Sequence, residues 1–216
     1  MDQLKKYLRA TYAIDCENEA IRKKTEELTG DTDNVVEKAG LLFYFVRDKI
    51  KYNPYLFTNV LDDYRASKVL EKGEGFCVQK AVLLAALARA ADIPARLRFA
   101  DILNHIVSGK MGELNPKNLF PYHGYDDLFI NGKWIKATPA FDLIMCEKNQ
   151  IIPVEFDGLS DGTFHSHNLE GKLHIEYIRD QGHYDDLPFD SIIAANVEVY
   201  GSDYFERVMS QIRETG

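Results

Sequence analysis

The chain has 216 residues, 45% of them hydrophobic, and carries 26 Lys and Arg against 34 Asp and Glu, a formal net charge of −8. This composition predicts one compact unit over residues 1–216 and, without a dense basic block, argues against a nucleic-acid partner. No segment is apolar enough for a signal peptide or a bilayer span, so we expect a cytoplasmic protein with no membrane partner. Three widely spaced cysteines, Cys16, Cys77 and Cys146, are typical of reduced thiols.

The first half of the chain predicts helices. Residues 4–28 predict one or two amphipathic helices, residues 34–51 a further helix that ends before Pro54, and residues 66–70 one more turn. Residues 78–91 give the strongest helix prediction, because Ala and Leu occupy most faces and β-branched and polar residues are nearly absent. A helix that is apolar on all sides should be central and buried.

The second half of the chain predicts mainly strands. Residues 95–102 alternate apolar and polar side chains, as a half-buried strand does. Residues 125–138 predict a hairpin, because Asn131-Gly132 suits a two-residue type I′ turn. Three further elements are predicted near the C-terminus: short strands around residues 154–156 and 173–178, and a helix from about Ser202 to Glu214. Helices, a buried helix and then strands form the order of an α+β fold.

Cys77 is the candidate nucleophile. It follows Gly73 and Gly75 and stands at the start of the predicted central helix, where free backbone N–H groups and the positive end of the helix dipole favour a thiolate. The same N–H groups suit a developing oxyanion, and a single such donor contributes about 3 to 4 kcal/mol to lowering the barrier. A second donor from upstream is needed, and Tyr52 and Asn53 are candidates for it. The alternative interpretation of Cys77 is a buried structural thiol.

The hairpin supplies a candidate base and two candidates for the group that orients it. Counting outward from the two-residue turn places His123 opposite Ala140. Thr138 and Asp142 are then diagonal neighbours of His123 on the same face, at about 7 to 8 Å between backbone positions. Asp142 can carry the charge that stabilises an imidazolium, whereas Thr138 offers only a neutral acceptor. Pro139 lies between them and cannot donate to a strand ladder, so both assignments stay open at this point.

Other histidines compete with His123. His105 follows the first predicted strand and could serve as the base, but no hairpin partner would place a carboxylate beside it. His165 and His167, with the nearby aspartates, could ligate a metal. A polar loop is the favoured interpretation, because a strand-spaced histidine pair without a further compact ligand set is weak evidence for a metal site. No metal or other cofactor is therefore predicted.

Together these residues resemble the transglutaminase-like superfamily of papain-like thiol enzymes. The resemblance rests on three features, in this order along the chain: GEGFC followed by an Ala/Leu helix and ADIPAR, then His123 opening a strand, then Gly132-Lys133-Trp134-Ile135. It covers a core of about residues 50–145, with N-terminal helices before it and a C-terminal extension after it. It implies a nucleophile at the N-terminus of a buried helix that packs on an antiparallel sheet.

The resemblance also implies a Cys–His–Asp triad with Cys77 as nucleophile and His123 as base. The family usually places its aspartate where this chain has Thr138, so we expect Asp142, four residues later, to take that role. The expected function is a cysteine-dependent hydrolase or acyl transferase that acts on a peptide or protein amide through a thioester, with hydrolysis favoured. The alternative is a catalytically inactive member that keeps the fold as a peptide-binding or interaction module.

Overall fold

The computed structural model describes residues 2–107, 112–113, 115 and 117–203. Its α-helices are α1 (Glu19–Thr29), α2 (Val35–Lys49), α3 (Ala66–Lys72), α4 (Cys77–Ala90), α5 (Leu143–Lys148) and α6 (Phe189–Tyr200). Its strands are β1 (Lys51–Tyr52), β2 (Glu74–Gly75), β3 (Ala95–Asn104), β4 (Leu119–Ile130), β5 (Lys133–Ala137) and β6 (Ile175–Tyr184). Short 3₁₀ helices cover Asp2–Tyr7, Pro54–Leu56 and Leu61–Tyr64.

Helix α4 is the centre of the fold. Every residue from Val78 to Arg89 is buried, as the all-round apolar pattern predicts. The helix packs on β3 and β4 and contacts α1, α2 and α3. It carries two basic side chains into the core, Lys80 and Arg89. Lys80 is fully buried, and its Nζ donates to the carbonyl oxygens of Arg47 at 3.0 Å and Ile50 at 2.6 Å. Lys80 therefore holds α4 to the carbonyl end of α2.

The main sheet is antiparallel, with strand order β5-β4-β3-β6 among the described residues. Asn131 and Gly132 both have positive φ, at 49° and 83°, as a type I′ turn requires. Ile130 pairs with Lys133, and pairing continues to Asp126 with Ala137, so the predicted register is confirmed over these residues. The predicted α+β class, with a buried helix on an antiparallel sheet, is confirmed as well.

A short parallel pair ties two loops together near the start of α4. Lys51 pairs with Glu74 and Tyr52 with Gly75, so β1, which follows α2, runs beside the residues that precede Cys77. Among the described residues, no helix combines the length and the apolar character that crossing a bilayer requires.

The region beyond residue 150 differs most from the sequence-based expectation. Residues 154–156 form no regular strand, while the predicted strand at 173–178 overlaps β6, which begins at Ile175 and runs to Tyr184. Helix α6 was not predicted, because its run of isoleucine and valine weakens the helical propensity. The helix predicted at Ser202–Glu214 lies, from residue 204 onward, outside the described residues.

Candidate active site

Cys77 is the first residue of α4. The residue before it, Phe76, has no side-chain acceptor that could cap the helix, so the first N–H groups of α4 stay free of a side-chain cap. Cys77 is partly exposed, whereas Cys16 and Cys146 are both buried. Cys77 is thus the one cysteine of the three with solvent access.

His123 lies on β4, directly opposite the start of α4. It pairs with Ala100 across the sheet, next to an irregularity between Ala100 and Ile102, and Tyr122 before it has a φ of 52°. A bulge and a positive φ beside one residue redirect its side chain. The His123 ring is 3% exposed, and it lines the same two cavities as Cys77. The structure therefore brings the predicted nucleophile and the predicted base together.

Gly124 sets how closely β4 approaches α4. A Cβ placed on Gly124 would lie 2.9 Å from the Cα of Val78, a distance that real Cβ atoms essentially never show. The Gly124 N–H points to the Cys77 sulfur and favours its thiolate form. A glycine inside a strand marks close backbone approach. This residue was missed by the sequence analysis, although its position after His123 carried that signal.

Aromatic rings enclose the imidazole of His123. Phe164 stacks on the imidazole with 4.8 Å between ring centroids. Phe141 in turn stacks on Phe164, with 4.5 Å between the centroids of these two rings. Tyr177 of β6 packs edge-on at 6.3 Å, and its hydroxyl accepts the N–H of Phe164 at 3.4 Å. Phe164 and Tyr177 come from the C-terminal third of the chain, where no sequence pattern indicated a place at the site.

Burial acts on the two reactive groups in opposite directions. It raises the pKa of the Cys77 thiol to about 11, although the N–H groups of Gly124, Val78 and Cys77 itself oppose the shift. It lowers the pKa of the His123 imidazole to about 3, with no charged neighbour to offset it. The N-terminus of α4 favours the thiolate and so lowers the pKa of Cys77, but desolvation outweighs that effect here. The resting pair is a neutral thiol beside a neutral imidazole.

The contacts give Asp142 a different position from the one expected. Its Oδ2 accepts the Tyr52 N–H at 2.7 Å, and its Oδ1 accepts the Met145 N–H at 2.8 Å as the N-cap of α5. Nε2 of His123 is buried without a hydrogen-bond partner. Asp142 therefore does not hold the imidazole at that nitrogen, because the strand pairing stops before it and the chain turns into α5.

Thr138 is the residue at which the resemblance implies an aspartate. Its side chain is 1% exposed, and its Oγ1 interacts with the Tyr177 hydroxyl, where it opposes the rise in pKa that burial causes. The Thr138 N–H donates to the carbonyl of Gly162 at 2.9 Å, which leads the backbone away from β4. Nε2 of His123 is therefore the unpaired polar atom, with no carboxylate bonded to it.

The proposed upstream oxyanion donors are engaged elsewhere. The Tyr52 N–H donates to Asp142, and the Asn53 N–H donates to the carbonyl of Gly75 at 3.0 Å. The Asn53 side-chain amide donates to Glu74. Gln79 accepts the N–H of Phe76 through Oε1 and donates through Nε2 to the Asp63 carbonyl, so it supports the helix start and points away from the thiol. The N–H groups of the first turn of α4 and of Gly124 are the donors nearest to the sulfur.

The competing histidines lie away from Cys77. His105 is exposed, and its Nε2 lies 3.3 Å from the carboxylate of Glu176. His165 and His167 are exposed, and His167 contacts the hydroxyl of Ser166 through Nδ1 at 3.0 Å. Within the described residues, no three His, Cys, Asp or Glu side chains form a group that could hold a metal ion.

A cysteine at the start of a buried helix and a histidine on the facing strand are the arrangement that the resemblance implies. The sequence model of the transglutaminase-like superfamily matches residues 22–139. The chain belongs to the transglutaminase-like superfamily. The match includes Cys77, His123 and Thr138 but ends before Asp142.

Three solved structures resemble this chain to different extents. A protein from Cytophaga hutchinsonii, provisionally described as a cysteine protease, matches with a TM-score of 0.55 at 19% identity over 92% of this chain and 50% of its own. A provisionally described protease from Parabacteroides distasonis matches over 63% of this chain and 25% of its own, with a TM-score of 0.42 and 18% identity. The periplasmic domain of TgpA from Pseudomonas aeruginosa covers 56% of this chain and 42% of its own, with a TM-score of 0.38 and 22% identity.

The chain spans half the length of the Cytophaga hutchinsonii protein and less of the other two. The comparison with the Cytophaga hutchinsonii protein supports the fold alone, because the identity is low. A search of curated proteins gives no significant match.

Proposed function

We propose that this protein is a cysteine-dependent hydrolase or acyl transferase that acts on amide or peptide carbonyls, with hydrolysis favoured. The observation that carries the proposal is the meeting of Cys77 and His123 at the walls of two shared cavities, with Cys77 at the first residue of a buried helix. Membership in the transglutaminase-like superfamily supports it. A peptide or protein amide is the proposed substrate.

The proposed reaction has two halves. The Sγ of Cys77 attacks the carbonyl carbon while the thiol proton passes to His123, and the imidazolium then gives that proton to the leaving amine as the C–N bond breaks. Water attacks the resulting thioester with His123 again taking a proton, and Cys77 is released as a thiol. The N–H groups of Cys77 and Gly124 are the proposed oxyanion donors.

Because the resting pair is neutral, His123 acts in this scheme as a general base at the moment of attack. The carboxylate that would stabilise the imidazolium is absent from Nε2, so the proposed enzyme works with a weak base. We assign the position beside the base to Thr138 and the cap of α5 to Asp142. Asp142 then supports catalysis only by fixing the backbone of Tyr52 at the wall of the cavities.

The test is trapping of the thioester. The full chain is incubated with a panel of peptide, glutamine-amide and peptidoglycan-like substrates and quenched in acid. Mass spectrometry of the intact protein then detects the adduct, and product release is followed in parallel. We expect an acyl adduct on Cys77 and turnover that falls about 1,000-fold or more in Cys77→Ala. The matched control is Cys16→Ala, which removes a buried thiol and should keep turnover. Equal turnover in Cys77→Ala and the native chain would overturn the proposal.

One observation favours the alternative, a peptide-binding module without catalysis. Nε2 of His123 is buried and unpaired, so no side chain orients the imidazole at that nitrogen. Titration calorimetry separates the two functions. A binding module holds a peptide with equal affinity in the native chain and in Cys77→Ala, and it forms no covalent adduct.

The cellular location and the single-domain organisation over residues 1–216 stay predictions. The proposed absence of a nucleic-acid partner rests on the formal net charge of −8.

A further inference from the structure

The larger of the two cavities at Cys77 is lined mainly by apolar side chains. It has a volume of about 140 Å³ and opens beside both Cys77 and His123. Its walls come from β3, β4, the residues after β5, and α5 with the residue that follows it. The main apolar contributors are Ile102, Ile106, Phe120, Phe141, Met145 and Ile151.

No charged side chain is found among the described residues that line this cavity. Its amide side chains are Asn104 and Asn149, and both bond to nearby backbone. Oδ1 of Asn104 accepts the Ile106 N–H at 3.2 Å, and Nδ2 of Asn149 donates to the Met145 carbonyl at 2.8 Å. A carboxylate or ammonium group that entered the cavity would lose its hydration without gaining a counter-charge.

The size of the cavity fits one large apolar side chain. An apolar cavity of about 150 Å³ accommodates a benzene molecule. A leucine, methionine or phenylalanine side chain is of this scale. The second cavity at Cys77, walled in part by Ile192 and Tyr200 of α6, has about 50 Å³ and is too small for such a group.

We propose that the larger cavity is the acyl-group subsite and selects carbonyl substrates whose acyl side chain is uncharged, apolar and of leucine to phenylalanine size. The inference rests on the proposed function, since it needs Cys77 as the nucleophile. The acyl group stays bonded to Sγ through both half-reactions, so an enclosed apolar site stabilises it in both. The leaving group departs along the smaller cavity beside α6.

N-acetyl amino acid p-nitrophenyl esters test this selection directly. Sγ of Cys77 forms a bond to the carbonyl carbon, the C–O bond to p-nitrophenolate breaks, and the thiol proton passes to His123 and then to solvent. Nitrophenolate release gives the rate, and the mass of the intact protein shows the adduct. We expect leucine and phenylalanine esters to acylate Cys77 about 10- to 100-fold faster than the glycine ester. Glutamate and lysine esters should be no faster than glycine.

Met145 provides the variant, and its neighbour Ile144 provides the control. Met145→Lys places a cation at the cavity wall, so it should slow the leucine ester about tenfold or more and favour the glutamate ester. Ile144→Lys adds the same charge on the same helix at a side chain that is 79% exposed and does not line the cavity, and it should change neither rate. Met145→Ala enlarges the cavity and should shift preference from leucine toward phenylalanine, which keeps the test available if Met145→Lys fails to fold.

Two failures are distinguishable. Equal acylation of Cys77 by the leucine, glycine and glutamate esters, or equal behaviour of Met145→Lys and Ile144→Lys, would overturn the subsite and leave the nucleophile in place. Absence of any adduct on Cys77 would overturn the proposed function and the subsite with it.

Discussion

The chemistry of the pair Cys77 and His123 depends on what surrounds the imidazole. Desolvation lowers the pKa of His123 to about 3, and no charged neighbour raises it again. In a triad, an adjacent carboxylate opposes this shift by stabilising the imidazolium. At residue 138, where the resemblance implies that carboxylate, this chain has a threonine.

Thr138→Asp should restore the missing charge. A carboxylate within about 4 to 6 Å of an imidazole raises its pKa by about one to three units, so the thiolate–imidazolium form of the pair becomes accessible at lower pH. Iodoacetamide alkylation of Cys77, followed by mass spectrometry between pH 5 and 10, measures this directly. We expect the midpoint of the alkylation profile to move down by about one to three pH units.

Thr138→Asn is the matched control for that experiment, because it has nearly the same shape as Asp and no charge. Its profile should stay close to that of the native chain. Superimposable profiles for the Asp and Asn variants would show that a charge at residue 138 does not reach the imidazole.

At the scale of elements, the site is made where α4 crosses β4. Cys77 belongs to the helix and His123 to the strand, so their separation is the spacing between two packed elements. Gly124 allows that spacing because it has no Cβ to meet the backbone at Val78. Movement of either element therefore changes the geometry of the nucleophile and the base together.

Gly124→Ala should separate the two elements. The new Cβ would stand 2.9 Å from a backbone carbon, which cannot rotate away, so β4 or α4 must shift. Overpacking of this kind costs about 1 to 3 kcal/mol of unfolding free energy. We expect urea denaturation to show that loss and acylation of Cys77 to slow more than tenfold.

Gly40→Ala serves as the comparison for Gly124→Ala. Gly40 lies within α2, and a Cβ there would meet nothing within 4 Å. Replacing glycine by alanine in a helix stabilises by about 1 kcal/mol, with no reason for a change in acylation. A Gly124→Ala protein as stable and as active as Gly40→Ala would contradict the close-packing argument.

Sequence patterns sufficed for elements whose environment is uniform along their length. The all-apolar run of α4 and the Asn131-Gly132 turn each encode their structure locally, and the hairpin register follows from the turn. The count across the hairpin places Asp142 beside His123 only if pairing continues past Pro139, whereas the pairing with β4 ends at Ala137. An Asp before a short helix is also an N-cap signal, and that local meaning is the one the structure follows.

Contacts between distant parts of the chain carried no sequence signal of this kind. Phe164 reaches His123 from a segment without regular structure, and Tyr177 reaches it from the far edge of the sheet. Both placements depend on how the chain after residue 150 wraps back over the sheet. No local pattern in those residues indicates where the segment packs.

At the scale of the whole molecule, burial shifts the pKa values of several ionisable groups toward their neutral forms. Burial lowers the pKa of Lys80 to about 7 and raises that of Asp126 well above its usual value, and both oxygens of Asp126 lack a partner. Burial likewise lowers the pKa of His174 to about 4, with His165 and His105 acting in the same direction. Such groups link the folding equilibrium to pH.

His174 offers the clearest test of this linkage, because it is 1% exposed, both ring nitrogens lack partners, and its ring stacks beside Phe141. Its folded pKa of about 4 lies below the ordinary value of 6.5, so the unfolded chain binds the extra proton between these values. The contribution of His174 to the free energy of unfolding is therefore complete above pH 6.5 and falls as pH drops toward 4, by up to about 1.4 kcal/mol per pH unit.

His174→Phe removes the proton site and keeps an aromatic ring in the stack. Urea denaturation at pH 7.5 and 5.0 should show a smaller acid loss in His174→Phe than in the native chain, while His167→Gln, at an exposed histidine, keeps the native loss. Equal losses in all three proteins would mean that His174 is already protonated in the folded state.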